Sequence, residues 1–434
     1  MNPILLAGYG IAAMFLLIFM HVPIGVAMAT VGTLGVGFLV TFNAGFSVLA
    51  SEVVSTLGNQ DLAVGPLFIL MGNFAAASGI SEEMYNLAYA FVGHRRGGLA
   101  MATIGGCGLF GSVCGSSFAT TSTFGRVALP EMIKRGYSPE LATGCVGGGG
   151  TLGALVPPSI VLVIYAVLAE QFIVELFIAA IVPAILTIVL YWTAIWIYVR
   201  IYPNSGPAGS RMSWSERLRT IGQSWSALVL MVLIGGGIYG GVFTVTEAAA
   251  LGAILSILFT IIRGKMTWEV FWEALRGTAG TSGMIYVIIS GAMVFNYFVV
   301  LTHMPDFIVS AIANTGWPDP VILTVLLVSY LCLGCVFDAT PAMIITLPFV
   351  LPIITNMGYS PVWWGVVNVV ITEIGLITPP IGINVFVLHG VAEEYSLKTV
   401  FKGILPFLFA DFGRITLLAA FPIITLWLPS LFSG

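Results

Sequence analysis

One irregular motif occurs twice in this chain with every spacing kept, inside sequence that is otherwise almost continuously apolar. Residues 129–158 read Leu-Pro, five residues, Gly-Tyr-Ser-Pro, thirteen residues, Gly, three residues, Pro-Pro; residues 351–380 repeat the pattern. Leu129, Pro130, Gly136, Tyr137, Ser138, Pro139, Gly153, Pro157 and Pro158 thus match Leu351, Pro352, Gly358, Tyr359, Ser360, Pro361, Gly375, Pro379 and Pro380. Proline removes a backbone donor and glycine admits non-helical backbone, so each copy predicts a broken helix. In lipid a break strands polar groups, and is tolerated only where they are buried in protein or line a cavity. Paired breaks at corresponding positions point to a transporter's binding site.

The surrounding sequence requires a bilayer. Of 434 residues 58% are hydrophobic and 8% charged, against roughly 25% charge in soluble chains. Apolar stretches near the spanning length recur from Ile4 to Leu431. The first, residues 4–20, has no basic leader and no small-residue exit, and reads as a retained helix. Cys332-Leu-Gly-Cys335 has redox spacing, but its apolar flanks favour buried structural thiols.

Charge placement threads the chain. Of 15 Lys and Arg, 13 cluster at 95–96, 134–135, 200–219, 263–276 and 398–402, which the positive-inside rule makes cytoplasmic. The apolar run 98–130 has basic flanks on both sides and is too short for two crossings, which need about 40 residues. It is expected to be a re-entrant hairpin with its tip at Gly111–Thr121. Spans are expected at 139–168, 172–199, 222–242, 246–262 and 280–301. The run 321–352 has no Lys or Arg on either flank, and reads as a second hairpin opening from the opposite side. A broken span through Thr372–Pro380 and a final crossing at 403–431 follow. Three spans before Arg95 place the N-terminus outside. Loop 203–220 joins the halves on the cytoplasmic side. Hairpins entering from opposite faces, each before one motif copy, make an inverted-topology repeat in an all-α polytopic membrane protein.

The broken segments offer oxygen ligands. The first tip carries Gly115-Ser116-Ser117-Phe118-Ala119-Thr120-Thr121; its partner span carries Gly147–Gly150, where four glycines make a continuous helix costly, then Thr151, Gly153, Pro157 and Pro158. Unwound carbonyls and hydroxyls suit Na⁺, and half-helix N-termini suit an anion. The second copy carries Asp338 and Thr340 at the tip, with Thr372, Glu373, Gly375, Thr378, Pro379 and Asn384 in the span. At the constant offset Asp338 stands opposite Ser116 and Glu373 opposite Thr151, so the second half is acidic where the first is neutral. Intramembrane carboxylates are costly and point to function. Arg126 could draw an anionic substrate, or snorkel or pair with a carboxylate. Asp411 and Arg414, at i and i+3, satisfy one another. Glycine-rich helices also simply pack closely, and membrane Ser and Thr often bond their own backbone. No P-loop or His-Glu-x-x-His occurs, and energy must come from an ion gradient. No nucleic-acid partner or organic cofactor is expected.

From Gly115-Ser116-Ser117 through Gly153-Ala154-Leu155-Val156-Pro157-Pro158-Ser159, and at Gly375-Leu376-Ile377-Thr378-Pro379-Pro380-Ile381-Gly382, the chain resembles the large membrane subunit of the tripartite ATP-independent periplasmic (TRAP) transporters. The resemblance covers essentially the whole chain. It implies Na⁺-driven uptake of an organic acid, such as a C4-dicarboxylate or sialic acid, across the bacterial inner membrane by an elevator mechanism. A periplasmic binding protein would deliver the substrate, and a separate small subunit of about four helices would complete the scaffold. Residues 95–170 and 280–395 would form the transport domain; 1–94, 171–279 and 396–434 would be mainly scaffold. One Na⁺ site would comprise Ser116, Ser117, Gly150, Gly153 and Pro157; the other Asp338, Thr372, Gly375, Thr378 and Pro379. Substrate would meet Ser117, Arg126, Asp338, Thr340 and Asn384. Alternatives are a stand-alone dicarboxylate–sodium symporter with similar hairpins, an ion channel, and an intramembrane enzyme built on Ser116 and His389.

Overall fold

The computed structural model describes residues 2–432, which are helical with short connections and contain no strand. Eight of the described helices are long and apolar enough to cross a membrane, or nine if the bent pair Trp214–Gln223 and Trp225–Tyr239 counts as one span.

Both hairpins are present. Helices Gly98–Cys114 and Ser117–Lys134 form the first, turning at Gly115–Ser116; Asp319–Val336 and Ala339–Asn356 form the second, turning at Phe337–Asp338. Each is followed by a broken segment. Pro139–Gly150 and Leu152–Leu155 lead to an unwound stretch before Ile160–Leu168; Pro361–Gly375 leads to one before Ile383–Val391. Pro157–Pro158 and Pro379–Pro380 lie at the breaks, and both peptide bonds are cis.

The four glycines do not break their helix. Gly147–Gly150 complete Pro139–Gly150, contrary to the expectation from their backbone freedom. Bare backbone lets neighbours approach on several sides. A Cβ on Gly144 would lie 2.0 Å from the Gly403 carbonyl oxygen, one on Gly148 3.0 Å from the Phe407 ring, and one on Gly149 2.9 Å from Cys107 Sγ. Helix Leu397–Ala420 thereby packs backbone to backbone against Pro139–Gly150, as small residues allow in membranes. The break falls instead where the Pro-Pro pair removes donors.

Two further expectations are corrected. The residues before Arg95 form five α-helices where three spans were expected: Pro3–Phe19, Ile24–Leu39, Phe42–Gly58, Val64–Ser78 and Ile80–Val92. Gly79, at φ 85°, separates the last two. The final crossing is two helices, Leu397–Ala420 and Ile423–Phe432. Pro422 disfavours helical backbone at Phe421, which adopts φ −129° and ψ 77°.

Of the expected loop 203–220, residues 203–213 strap the base of the first hairpin, whereas 214–220 belong to helix Trp214–Gln223, capped by Ser213. Gly97 N–H donates to the Gly206 carbonyl (3.0 Å), Ser138 N–H to Ser205 (3.0 Å), and Gly209 N–H to Gly93 (3.1 Å). Buried Tyr137 donates its hydroxyl to the Pro207 carbonyl (3.0 Å) and accepts from Leu99 N–H (3.0 Å). Its counterpart Tyr359 instead stacks on Trp363, with ring centroids 4.6 Å apart.

The packing account separates two glycines of one helix. Gly403→Ala places a methyl 1.9 Å from the Glu140 carbonyl oxygen, whereas Gly413 has nothing within 4 Å. Gly403→Ala is expected to cost roughly 1–3 kcal/mol by overpacking, and Gly413→Ala to be neutral or slightly stabilising. Thermal melting of the purified variants checks this; equal melting temperatures would contradict it.

Candidate functional site

The two tips meet at one cavity of about 300 Å³. Ser116, Ser117 and Phe118 line it from the first hairpin, Asp338, Thr340 and Pro341 from the second, and Glu373 from the second broken segment. Asn73 in Val64–Ser78, and Thr281 and Met284 in Trp268–Leu301, close the opposite wall. The volume is at the small end of ligand sites, which run to about 1,000 Å³.

Local structure sets each polar group. Ser116 caps helix Ser117–Lys134, its Oγ accepting from Ala119 N–H (3.4 Å). Asp338 caps Ala339–Asn356, its Oδ1 accepting from Ala339 N–H (2.7 Å). The residues matched by the repeat therefore have the same local role, one neutral and one acidic. Ser117 donates its hydroxyl across the copies to Glu373 Oε1 (3.1 Å). Glu373 is 1% exposed, and its Oε2 has no hydrogen-bond partner.

The breaks are held by the tips. A Cβ on Gly153 would meet the Ser116 carbonyl oxygen at 2.5 Å and Thr120 Oγ1 at 2.4 Å, and one on Gly150 would meet Thr121 Oγ1. Gly375 is as tightly placed, 2.6 Å from the Gly334 backbone by the same measure. After each Pro-Pro pair, an amide donates back to the neighbouring hairpin: Ile160 N–H to the Gly115 carbonyl (3.4 Å), and Gly382 N–H to Cys335 (3.3 Å). Ile160 and Gly382 are equivalent in the repeat. No other backbone fits so close an approach at Gly153 and Gly375.

Of the residues expected to bind substrate, the cavity gathers Ser117, Asp338 and Thr340. Arg126 does not join them. It is exposed, its guanidinium held by the Ser122 hydroxyl (2.9 Å) and carbonyl (3.5 Å). At 1.5 Å rise per residue it lies roughly 13 Å along the helix from Ser117. Asn384 is buried outside the cavity lining, with both side-chain polar atoms unpartnered and its backbone N–H on the Leu376 carbonyl (3.0 Å). Of the expected cation ligands, Ser116, Ser117, Gly150 and Gly153 come together at the first tip. Pro157 lies beyond them, on the cavity lined by Gly105, Gly108 and Ser112. Asp338 lines the main cavity, while Thr372, Gly375, Thr378 and Pro379, in the second broken segment, are not among its lining residues. Thr372 and Thr378 bond their own backbone, at Asn368 (2.8 Å) and Ile374 (2.6 Å).

Sequence reasoning missed Asn73 and Thr281; it placed Thr121 on the first tip but in neither site, and the structure leaves that hydroxyl buried and unpartnered. An asparagine inside an apolar helix was the available signal for Asn73. His389 lies outside the cavity lining, with Nδ1 2.9 Å from the Tyr395 carbonyl, so Ser116 has no base there.

A buried ionic network supports the first break. Arg414 Nη2 meets Asp411 Oδ1 at 2.8 Å, both side chains at most 1% exposed. Arg414 Nη1 donates to Thr187 (2.7 Å), and Tyr191 donates to Asp411 Oδ2 (2.8 Å). Tyr191 also lies 3.3 Å from the hydroxyl of Thr151, which donates to the Gly148 carbonyl.

The fold of the described residues is all-helical, with several helices long and apolar enough to cross a membrane. It is similar to the YdaH transporter of Alcanivorax borkumensis, with TM-score 0.65 at 15% identity over 87% of this chain and 89% of that one. The family is given by sequence: residues 11–424 match the DctM component of the tripartite ATP-independent periplasmic transporters, and the chain belongs to that family. It is 32% identical to the C4-dicarboxylate TRAP transporter large permease protein DctM of Vibrio cholerae, over 98% of both chains. It is 31% identical to the isethionate TRAP transporter permease protein DctMQ of Oleidesulfovibrio alaskensis, over 98% of this chain and 65% of that one. Identity to the ectoine/5-hydroxyectoine TRAP transporter large permease protein UehC of Ruegeria pomeroyi is 30%, over 91% and 92%.

Arg414→Met alone leaves Asp411 charged and buried, and is expected to cost roughly 3–5 kcal/mol; the double variant Asp411→Leu/Arg414→Met should cost clearly less. Melting temperatures of the three proteins check this. A double variant as unstable as the single one would show that the pair is not what holds these helices.

Proposed function

We propose that this chain is the membrane carrier of a Na⁺-coupled system that brings a small organic acid across the bacterial inner membrane. A periplasmic binding protein delivers the substrate and a small four-helix membrane subunit completes the scaffold. The observation that carries the reading is the single cavity formed jointly by the two hairpin tips. Family membership supports the tripartite assembly, and relatives named for transporting a C4-dicarboxylate, isethionate and ectoine support a small, charged organic substrate.

In this reading the two copies are inverted repeats, with hairpins entering from opposite faces and the cavity near the midplane. Hairpins and broken segments, at 95–170 and 280–395, slide as an elevator against the remaining helices. Na⁺ binds at each break. The first site uses Ser116, Ser117, Gly150, Gly153 and Pro157, and its neighbour Thr121 brings a buried, unpartnered hydroxyl. The second uses Asp338, Thr372, Gly375, Thr378 and Pro379. Sodium at the two breaks lowers the cost of the carboxylates beside the cavity, so ion and substrate bind together.

Uptake into proteoliposomes holding this chain and its small subunit is expected to require both an inward Na⁺ gradient and the binding protein. Ser116→Ala and Thr378→Ala should each raise the Na⁺ concentration for half-activation, by about tenfold for one lost ligand. Unchanged Na⁺ activation in both would remove the assigned sites.

The inversion is tested separately. In a Cys-free background, Lys134→Cys and Asn356→Cys should react with an impermeant thiol reagent from opposite sides of the membrane. Labelling from one side only would rule it out.

A further inference from the structure

Donors and acceptors are unevenly divided around the main cavity. Asn73 commits its amide hydrogens to helix Trp268–Leu301, at the Ala274 carbonyl (3.3 Å) and the Thr278 hydroxyl (3.0 Å), which leaves its side-chain oxygen as the open group. Ser117 has given its hydroxyl hydrogen to Glu373. Two carboxylates line the cavity, one with an oxygen buried and unpartnered, and no Lys, Arg or His does. The buried Arg414, outside the lining, is closed on Asp411.

The two helix ends that meet there also differ. An N-terminus carries unsatisfied N–H groups and a positive partial charge. At Ser117–Lys134 the cap is a neutral serine that satisfies only Ala119, so the Ser117 and Phe118 amides remain for an incoming anion. At Ala339–Asn356 the positive end is already compensated by the Asp338 carboxylate, bonded to Ala339 N–H. One end can take a carboxylate, and the other repels one.

We infer that the substrate is a small zwitterion, with one carboxylate on the first tip and a cationic, N–H-bearing group between Asp338 and Glu373. This rests on the reading above that substrate binds in this cavity. A dicarboxylate would bring two more carboxylates to the two that already line the cavity, with no basic residue among the lining residues to offset any of them. Uncompensated charge at membrane depth is costly, so coupling ions alone would have to neutralise the whole set. A zwitterion adds no net charge, and its donors complete Glu373 Oε2, which the protein leaves empty-handed.

The test is thermal stabilisation of the chain purified with its small subunit, in NaCl and in KCl. The probes are ectoine and glycine betaine as zwitterions with and without N–H groups, succinate as a dianion, and isethionate as a monoanion. In NaCl, ectoine is expected to stabilise at concentrations about tenfold or more below those of the other probes, the ratio expected for one charge-assisted hydrogen bond. Asp338→Asn should abolish that preference; Glu373→Gln serves as the second variant if the first fails to fold. Succinate or isethionate acting at equal or lower concentration, or no effect of ectoine, overturns the inference. Failure of the proposed function looks different: NaCl alone then stabilises no more than KCl, and no probe adds to it.

Discussion

Every backbone polar group at membrane depth must find a partner inside the protein, and the two Pro-Pro breaks cannot supply their own. The hairpins answer that need. Each tip returns a carbonyl to the amide that follows its Pro-Pro pair, Gly115 to Ile160 and Cys335 to Gly382. Gly153 and Gly375 make the approach possible, because a side chain at either would overlap the opposing backbone. Hairpin and broken helix are therefore one structural unit, built twice. The helix ends at the two tips are what this unit presents to the cavity.

The rest of the molecule keeps these units in place by close packing and a few buried polar bonds. Gly144 and Gly403 bring two helices into backbone contact behind the first break. The Asp411–Arg414 pair, farther along the same helix as Gly403, bonds that helix to Tyr191 and Thr187 of Ile173–Ile201. At the base of the first hairpin, the 203–213 strap bonds both its ends. Among the described residues the second hairpin has no such strap, and its first arm, Asp319–Val336, is the least buried of the eight helices long and apolar enough to cross a membrane. Equal sequence motifs thus sit in unequal surroundings.

Much of this was legible because lipid narrows the options. Basic clusters and run lengths placed both hairpins, and the Pro-Pro spacing placed both breaks, since few structures other than a supported break satisfy a bilayer. What escaped the sequence depends on neighbours remote in the chain. Gly147–Gly150 read equally as a flexible break or a packing face; Phe407, Cys107 and Thr121 decide for packing. Arg126 was placed on the right helix, but depth from the tip and outward orientation remove it from the cavity. Asn73 and Thr281 lie in helices outside the repeat, so the duplication that drew attention to the tips gave no hint of the opposite wall. The five helices before Arg95 were undercounted because their apolar pattern runs through Gly79, where the chain turns.

The link between Ser117 and Glu373 joins these threads, because it is a bond between the two copies and not within one. Among the described residues the Glu373 carboxylate has a single hydrogen-bond partner, and that partner sits on the first tip. Any displacement of the first tip from helix Pro361–Gly375 removes it and leaves a buried carboxylate with nothing to satisfy it, which is costly. An occupant that donates to Glu373 relieves that cost in one arrangement of the tips more than in another. A ligand shifts a conformational equilibrium only by such a difference in affinity. The acidic half of the repeat supplies the charge, the neutral half supplies the first donor, and the cavity between them is where occupancy and geometry become the same variable.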